Sequence, residues 1–122
     1  MKVPYTNFKT RTGDDTAVGG CGFIGGEWKD LDTTEIFDNK KVVVFALPGA
    51  FTPTCSSQQL PGYEEMYDEF KAQGIDEVYC LSVNDAFVMN AWFKDTNVNK
   101  VKAIGDGEGV FTQGMGMLVN KP

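Results

Sequence analysis

Cys55 is the residue whose type and position best fit a chemical role. The sequence predicts that it lies about one turn inside a helix that follows a strand and the turn Pro48-Gly49. The free N–H groups and the dipole of a helix start favour thiolate over thiol, and cysteines there form a class with low pKa. Thr52 can place a hydroxyl beside the sulfur, where it can donate to an incoming oxygen or accept its proton.

Two prolines, Pro48 and Pro53, stiffen the loop around this threonine and can shield the sulfur from bulk water. A thiolate that attacks the O–O bond of a peroxide needs a low thiol pKa, fixed donors for the developing charge on oxygen, and a narrow dry pocket. The spacing alone leaves a second interpretation open. Free cysteine is among the most buried residue types, so Cys55 fits an inert core thiol equally well.

The composition argues against several other kinds of site. The 122 residues contain no histidine, which removes Cys-His and Ser-His pairs, histidine bases and histidine metal ligands. Three cysteines in a chain without a secretory signal point away from a disulfide scaffold, and Cys21, Cys55 and Cys80 form no Cys-x-x-Cys pair, so a zinc site is not expected. A net charge of −6 argues against binding to nucleic acid or to an anionic membrane. No apolar run approaches the roughly 18 residues of a membrane span, and Met1–Pro4 starts no secretory signal, so we expect a cytoplasmic protein.

The elements that position Cys55 follow from the middle of the sequence. Val42–Leu47 is a continuous β-branched and aromatic run that predicts a strand buried on both faces. Glu77–Val83 and Val101–Ile104 predict two further strands, with helical patterns between the three. The order β-α-β-α-β over residues 42–104 indicates a parallel sheet with right-handed crossovers, within a single domain of 122 residues. Ligands of such sheets bind beyond the carboxyl ends of the strands, where the loop 48–55 lies.

Two apolar stripes define the helices. The first consists of Tyr63, Met66, Tyr67 and Phe70, and the second of Phe87, Val88, Ala91 and Trp92. Pro61 interrupts the helix that carries Cys55, and the helix can restart there with Pro61 at its first position. Asn84-Asp85 is a signal for the start of the second helix. Residues 2–10 predict an edge strand, and residues 13–26, with six glycines, predict a surface loop or hairpin.

Several segments of the sequence resemble one family. Residues 48–55 read Pro-Gly-Ala-Phe-Thr-Pro-Thr-Cys, which contains Pro-x-x-x-Thr-x-x-Cys and resembles the peroxiredoxin signature. Leu60–Tyr63, Leu81–Val88 and Phe111–Met117 extend the match to type-five peroxiredoxins, in particular to the peroxiredoxin part of bacterial peroxiredoxin–glutaredoxin hybrids. The resemblance covers roughly residues 30–120. It implies a thioredoxin-like α/β fold of the peroxiredoxin type, and it favours a reactive Cys55 over an inert one.

The resemblance also implies roles for individual residues. Cys55 would be the peroxidatic cysteine, which attacks hydrogen peroxide or an alkyl hydroperoxide and becomes a sulfenic acid. Thr52 would hydrogen-bond the sulfur and the peroxide, Pro48 would shape the pocket, and the backbone N–H of Cys55 would hold the substrate oxygen. Glutathione or a glutaredoxin would reduce the sulfenic acid as co-substrate, with no cofactor and no metal. Phe51 lies where the family has a dimer contact, which implies a homodimer through this loop.

One part of the family pattern is not found. Relatives carry an arginine on a strand facing the cysteine, shortly beyond the segment that matches Met115–Lys121, and it supplies positive charge to the thiolate. This sequence ends at Pro122, and its single arginine, Arg11, matches no part of the motif. We therefore expect a chain that is incomplete at its C-terminal end. It would lack the two antiparallel strands and the helix that close the family's sheet, and its peroxide reactivity would be low.

Other functions and other cysteines stay open as alternatives. A thiol-disulfide oxidoreductase of the same fold is disfavoured by the absence of Cys-x-x-Cys, whereas a non-catalytic redox sensor or inactive fragment would fit the missing arginine. Cys80, inside an apolar strand, is expected to be core packing, as is Trp92. Cys21, between two glycine pairs, is a weaker candidate for a resolving thiol than turnover with one cysteine.

Overall fold

The computed structural model describes residues 3–12, 16–18, 22–24, 26–47, 49–52 and 58–118. These residues form seven strands and five helices, with four strands first and helices between or after the later strands. The strands are β1 (Asn7–Thr12), β2 (Thr16–Val18), β3 (Gly22–Ile24), β4 (Glu27–Asp32), β5 (Val42–Ala46), β6 (Glu77–Ser82) and β7 (Lys102–Gly105). The helices are α1 (Thr33–Phe37), α2 (Leu60–Glu65), α3 (Tyr67–Ala72), α4 (Ala86–Asp95) and α5 (Val110–Gly114).

The central element is a parallel sheet in the order β5-β6-β7. Phe45 lies opposite Cys80, and Leu81 opposite Ile104, in the register of the sheet. Helices α2 and α3 connect β5 to β6, and α4 connects β6 to β7. The predicted β-α-β-α-β order is therefore confirmed, with strand ends that differ from the predicted ones by one residue.

Two apolar clusters cover the two faces of this sheet, because side chains alternate between the faces of each strand. One cluster joins Phe45, Val78 and Cys80 to residues of α4, including Met89 and Trp92. The other joins alternate strand residues to α1, α5 and β1, and its buried members are Phe8, Ile36, Tyr79, Leu81, Ile104 and Phe111. Cys80 and Trp92 are both fully buried, which confirms that they are core residues.

The helical stripes were predicted only in part. Tyr63, Tyr67 and Phe70 pack against the core, but Met66, at the junction of α2 and α3, is 46% exposed. The stripe predicted for α4 was right at Trp92 and wrong at Phe87, Val88 and Ala91, none of which is buried. The buried residues of α4 are Ala86, Met89, Trp92 and Phe93, whereas Ala91 is exposed. The buried face of α4 is shifted by about one residue from the predicted face, so that the side chains of Met89 and Phe93 face the sheet.

The start of the chain forms antiparallel pairs. β1 pairs with β4 from Asn7 opposite Asp32 to Thr12 opposite Glu27, and β2 pairs with β3, so the hairpin predicted for residues 13–26 is confirmed. Arg11 lies on β1, with its guanidinium 4.7 Å from the ring centroids of both Trp28 and Phe87. None of the helices in the described part of the chain is long and apolar enough to cross a membrane.

Candidate active site

The carboxyl ends of β5, β6 and β7 lie at one edge of the sheet, because the three strands are parallel. The loop after β5 carries the site residues predicted from the sequence. Thr52 is described at this edge, whereas Pro48 and Cys55 lie outside the described residues, as does Cys21. The described part of the site is therefore the segment 49–52 and the neighbouring loops that hold it.

Thr52 is half-buried, and its side chain closes a short turn. The hydroxyl Oγ1 donates to the carbonyl oxygen of Gly49 at 2.7 Å. A threonine hydroxyl has one proton and two lone pairs, so a hydroxyl that donates to the backbone presents its oxygen as an acceptor. In this conformation, Thr52 can accept an O–H from a molecule bound beside it.

Phe51, inside this turn, has an unusual backbone conformation. Its φ is 60°, in the left-handed region, which costs about 1–2 kcal/mol for a residue with a β-carbon. Such conformations persist where the surrounding structure fixes the chain on both sides. Here the flanking residues Ala50 and Thr52 are both held by hydrogen bonds, and the Phe51 ring is 54% exposed.

Asn84, in the loop after β6, connects this loop to the loop after β5. Its Oδ1 accepts the backbone N–H of Ala50 at 3.1 Å and the hydroxyl of Ser82 at 2.7 Å. Just before the turn, the N–H of Leu47 donates to the carbonyl of Leu81 at 3.2 Å, which extends the pairing of the strands. The segment that leads to Thr52 is thus tied to the end of β6 by backbone and side-chain bonds.

The loop after β7 supports the loop after β6. The backbone of Gly105 approaches the turn so closely that a β-carbon would lie 2.7 Å from the carbonyl oxygen of Asn84, and the N–H of Asp106 donates to the carbonyl of Ser82 at 2.9 Å. The carboxylate of Asp106 accepts the backbone N–H groups of Phe111 and Thr112, at 3.2 and 2.7 Å. Asp106 is therefore a structural acid that joins this loop to α5.

Sequence reasoning did not identify the roles of Asn84 and Gly105. The helix start predicted at Asn84-Asp85 is confirmed, with Asp85 as the cap, whose side chain accepts the N–H of Val88 at 2.8 Å, but no further role was predicted for Asn84. A usable signal existed, since a polar residue directly after a parallel strand lies at the edge where ligands bind. Its partner, 34 residues earlier in the chain, gives no local pattern.

A cleft of about 550 Å³ lies beside the loops after β6 and β7. Tyr5, Phe8, Trp28, Asp85 and Val110 contribute to its walls, but Thr52 does not line it. The described residues therefore place the cleft apart from the turn that carries the predicted site. Nor do they contain a group of three or more acidic or cysteine side chains arranged to hold a metal ion.

A charged network occupies the opposite edge of the sheet. Glu77, at the start of β6, accepts the hydroxyl of Tyr67 at 2.9 Å and pairs with Lys102 at 2.8 Å. Burial by itself raises the pKa of Glu77, but the bonds from Lys102, Tyr67 and the N–H of Val78 outweigh it and leave the pKa below its ordinary value. The same bond to Glu77 raises the pKa of Lys102. These charges lie at the ends of the strands away from Thr52.

The parallel sheet with helices on both faces places the chain in the thioredoxin-like α/β class. Its sequence matches the Redoxin family over residues 13–122. The chain belongs to this family as a peroxiredoxin of the type-five kind.

The relatives give the extent of the similarity. Peroxiredoxin y4vD of Sinorhizobium fredii is 55% identical over 98% of this chain, which spans 62% of that protein's length. The hybrid peroxiredoxin hyPrx5 of Haemophilus influenzae is 52% identical over 98% of the chain, which spans 45% of its length. The crystal structure of reduced Prx3 in complex with H2O2 from Vibrio vulnificus superimposes with a TM-score of 0.85 at 36% identity, covering 100% of this chain and 70% of that one.

Proposed function

We propose that the protein is a thiol-dependent peroxidase that reduces hydrogen peroxide and alkyl hydroperoxides through Cys55. The observation that carries the proposal is the hydroxyl of Thr52, which lies three residues before Cys55. This hydroxyl donates a hydrogen bond to the carbonyl of Gly49, so its oxygen is available as an acceptor. A peroxide O–H is a donor that fits this oxygen. The Vibrio vulnificus relative, solved with hydrogen peroxide, supports the choice of substrate.

The reaction is a two-electron transfer from sulfur to the peroxide. The Cys55 thiolate attacks the terminal oxygen, so that an S–O bond forms while the O–O bond breaks. The departing oxygen leaves as hydroxide or alkoxide and takes a proton from solvent to become water or an alcohol. The Cys55 sulfur is left as a sulfenic acid. In this proposal, Thr52 orients the peroxide and Pro48 shapes the pocket around the sulfur.

The proposed recycling uses glutathione or a glutaredoxin and needs no cofactor or metal. A thiol condenses with the sulfenic acid to a mixed disulfide and releases water, and a second thiol then frees Cys55. The resemblance to peroxiredoxin–glutaredoxin hybrids supports this route, and the similarity to the Haemophilus hybrid peroxiredoxin agrees with it. Cys80 is fully buried in β6, so it is poorly placed to resolve the sulfenic acid.

We also propose a cytoplasmic homodimer that uses the loop around Phe51. Apolar side chains are exposed at the same edge of the sheet, where a monomer would leave them in water. Val83 and Leu118 are 40% and 49% exposed, and both approach the backbone of Gly109. A second copy of the chain is the occupant proposed for this surface.

Trapping the sulfenic acid tests the proposed chemistry. The protein is treated with one equivalent of hydrogen peroxide and then with a sulfenic-acid reagent, and the adduct is mapped by mass spectrometry. We expect the label on Cys55 and its loss in Cys55→Ser. Labelling of Cys21 or Cys80 with none on Cys55 would overturn the proposal. Reduction of insulin disulfides without peroxide turnover would indicate an oxidoreductase instead.

The predicted continuation of the chain stays a prediction. Reading the coding sequence past residue 122 for an arginine on a strand checks it directly. Peroxide reactivity of the 122 residues at the rate of a complete relative would show that the arginine is not needed.

A further inference from the structure

The loop after β6 holds the turn that carries Thr52, and the contact is made by one side chain. Asn84 is half-buried at the carboxyl end of β6, next to the carboxyl end of β5. Its Oδ1 receives two hydrogen bonds, from the N–H of Ala50 and from the hydroxyl of Ser82. Both partners are donors, so only the oxygen of the amide can meet them, and this fixes the orientation of the Asn84 side chain.

The Asn84 side chain is itself held by buried neighbours. Ser82 is 1% exposed, and its hydroxyl has a single proton to donate. The hydroxyl lies 2.7 Å from Oδ1 of Asn84 and 3.4 Å from the carbonyl oxygen of Leu47, so the hydrogen bond to Asn84 is the stronger one. Gly105 lies against the carbonyl of Asn84, where no β-carbon would fit. The turn after β6 is therefore a fixed point to which the preceding loop is attached.

The attached residue, Ala50, lies directly before the left-handed Phe51 and two residues before Thr52. A backbone conformation of this kind relaxes unless both sides are fixed. On one side the bond from Thr52 to Gly49 holds it, and on the other the bond from Ala50 to Asn84. Removing Asn84 frees the turn and lets the Thr52 hydroxyl move.

We infer that Asn84 is a positioning residue of the peroxide site, which aligns Thr52 through the backbone of Ala50 without touching the substrate. The inference rests on the proposed function and adds a residue from a different loop. It separates two properties of Cys55. Reaction with a peroxide needs an oriented O–O bond, whereas alkylation by iodoacetamide needs only a thiolate.

The experiment compares these two reactions of Cys55 in the full chain. The second-order rate of peroxide oxidation and the pH profile of iodoacetamide alkylation are measured for wild type, Asn84→Ala, Asn84→Asp and Ser82→Ala. Asn90→Ala is the matched control, because Asn90 also bonds a backbone group, the carbonyl of Arg11, but lies on α4 away from the turn. If Cys55 of the wild type is not oxidised, the proposed function is wrong. The role of Asn84 is judged separately, from the ratio of the variant's peroxide rate to the wild-type rate.

We expect Asn84→Ala to lower the peroxide rate by about tenfold or more, because misplacement by an ångström can cost more than that, while alkylation changes by less than about threefold. Ser82→Ala gives a smaller loss of the same kind, and Asn90→Ala gives none. Asn84→Asp keeps an oxygen that can accept the same two hydrogen bonds once its carboxyl group is ionised. The peroxide rate of this variant is therefore expected to recover as the pH rises. Its negative charge shifts the alkylation profile to higher pH.

A folded Asn84→Ala that reacts with peroxide at the wild-type rate would overturn the inference. So would a parallel fall of peroxide oxidation and alkylation, since that reports a general loss of structure. If Asn84→Ala does not fold, Asn84→Asp decides: recovery at high pH supports the inference, and a rate that stays low at every pH rejects it.

Discussion

The hydroxyl of Thr52 donates to the carbonyl oxygen of Gly49 at 2.7 Å, across a turn of four residues. This hydroxyl proton therefore already forms a hydrogen bond to the backbone before any substrate binds. The sequence left both directions open, since a hydroxyl can donate to a peroxide or accept from it. The bond to Gly49 favours the second, with Thr52 as the acceptor for the peroxide O–H.

Thr52→Val replaces this hydroxyl with a methyl group of the same size. We expect the rate of Cys55 oxidation by hydrogen peroxide to fall by about 100-fold, a loss of the size expected when a substrate is misplaced by about an ångström. Thr52→Ser keeps the oxygen and is expected to keep most of the rate. Stopped-flow measurement of both variants checks this, and a Thr52→Val rate close to wild type would show that the hydroxyl takes no part.

Gly105→Ala tests the contact between the loops after β6 and β7. The new β-carbon would lie 2.7 Å from the carbonyl oxygen of Asn84, so the turn must shift. We expect a loss of about 1–3 kcal/mol in the free energy of unfolding, the usual cost of overpacking, together with slower peroxide oxidation. Denaturant unfolding measures the first effect.

Gly62→Ala is the control for this substitution. A β-carbon at Gly62, inside α2, would meet nothing within 4 Å. Alanine is the better helix former, so the control is expected to gain up to about 1 kcal/mol. Equal losses in the two variants would contradict the contact between Gly105 and Asn84.

The sheet could be predicted from the sequence because its signals are local. The run Val42–Leu47 has the β-branched composition of a buried parallel strand, and Asp85 follows the rules for a helix cap. The face of α4 was not fixed by such signals. Its apolar residues allow two faces about one residue apart, and packing against the sheet selected the one with Met89 and Phe93.

The candidate site was predictable in its residue types and not in its contacts. A threonine three residues before a cysteine suggests a hydroxyl beside a sulfur, and the structure describes this threonine at the expected edge. The acceptor of its proton is a backbone carbonyl, and the anchor of its turn is Asn84, which comes from another loop. Contacts between loops depend on how the strands pair, and no pattern within either loop encodes them.

The thiol of Cys80 is expected to be unreactive in the folded protein. It is fully buried on the central strand β6, where neither a thiol reagent nor a peroxide can reach it. Cys80→Ala should leave peroxide turnover unchanged and lower the free energy of unfolding by about 1–2 kcal/mol, through a small cavity. Titration with Ellman's reagent before and after unfolding checks the burial, and rapid labelling of Cys80 in the native protein would contradict it.

Phe51→Ser tests the proposed dimer. Phe51 is 54% exposed at the edge that also exposes Val83 and Leu118, and a large aromatic side chain is a common anchor of an interface. We expect the dimer dissociation constant to rise by about tenfold or more in sedimentation experiments. Met66→Ser is the control, because Met66 is similarly exposed but lies between α2 and α3. An unchanged dimer in Phe51→Ser, or a monomeric wild type, would reject this surface.

The Glu77–Lys102 pair predicts how stability changes with pH. The side chain of Glu77 is 13% exposed, and bonds from Lys102 and Tyr67 hold its pKa below the ordinary value of 4.5. A carboxyl group with a lowered pKa stabilises the folded state above its unfolded pKa, and the stabilisation is lost as the pH falls through the folded value. Glu77→Gln should therefore cost about 1 kcal/mol at pH 7, since Lys102 is largely exposed, and less near pH 3.

Asp30→Asn provides the matched control for this pH dependence. Asp30 pairs with Lys9 at 2.7 Å, a distance like that of Glu77 and Lys102, but both side chains are more than half exposed. Solvent screens such a pair, so its removal should change stability little at either pH. Urea unfolding of both variants at pH 7 and pH 3 makes the comparison. If the cost of Glu77→Gln is the same at the two pH values, the ion pair does not stabilise this edge of the sheet, and packing of the Glu77 side chain does so instead.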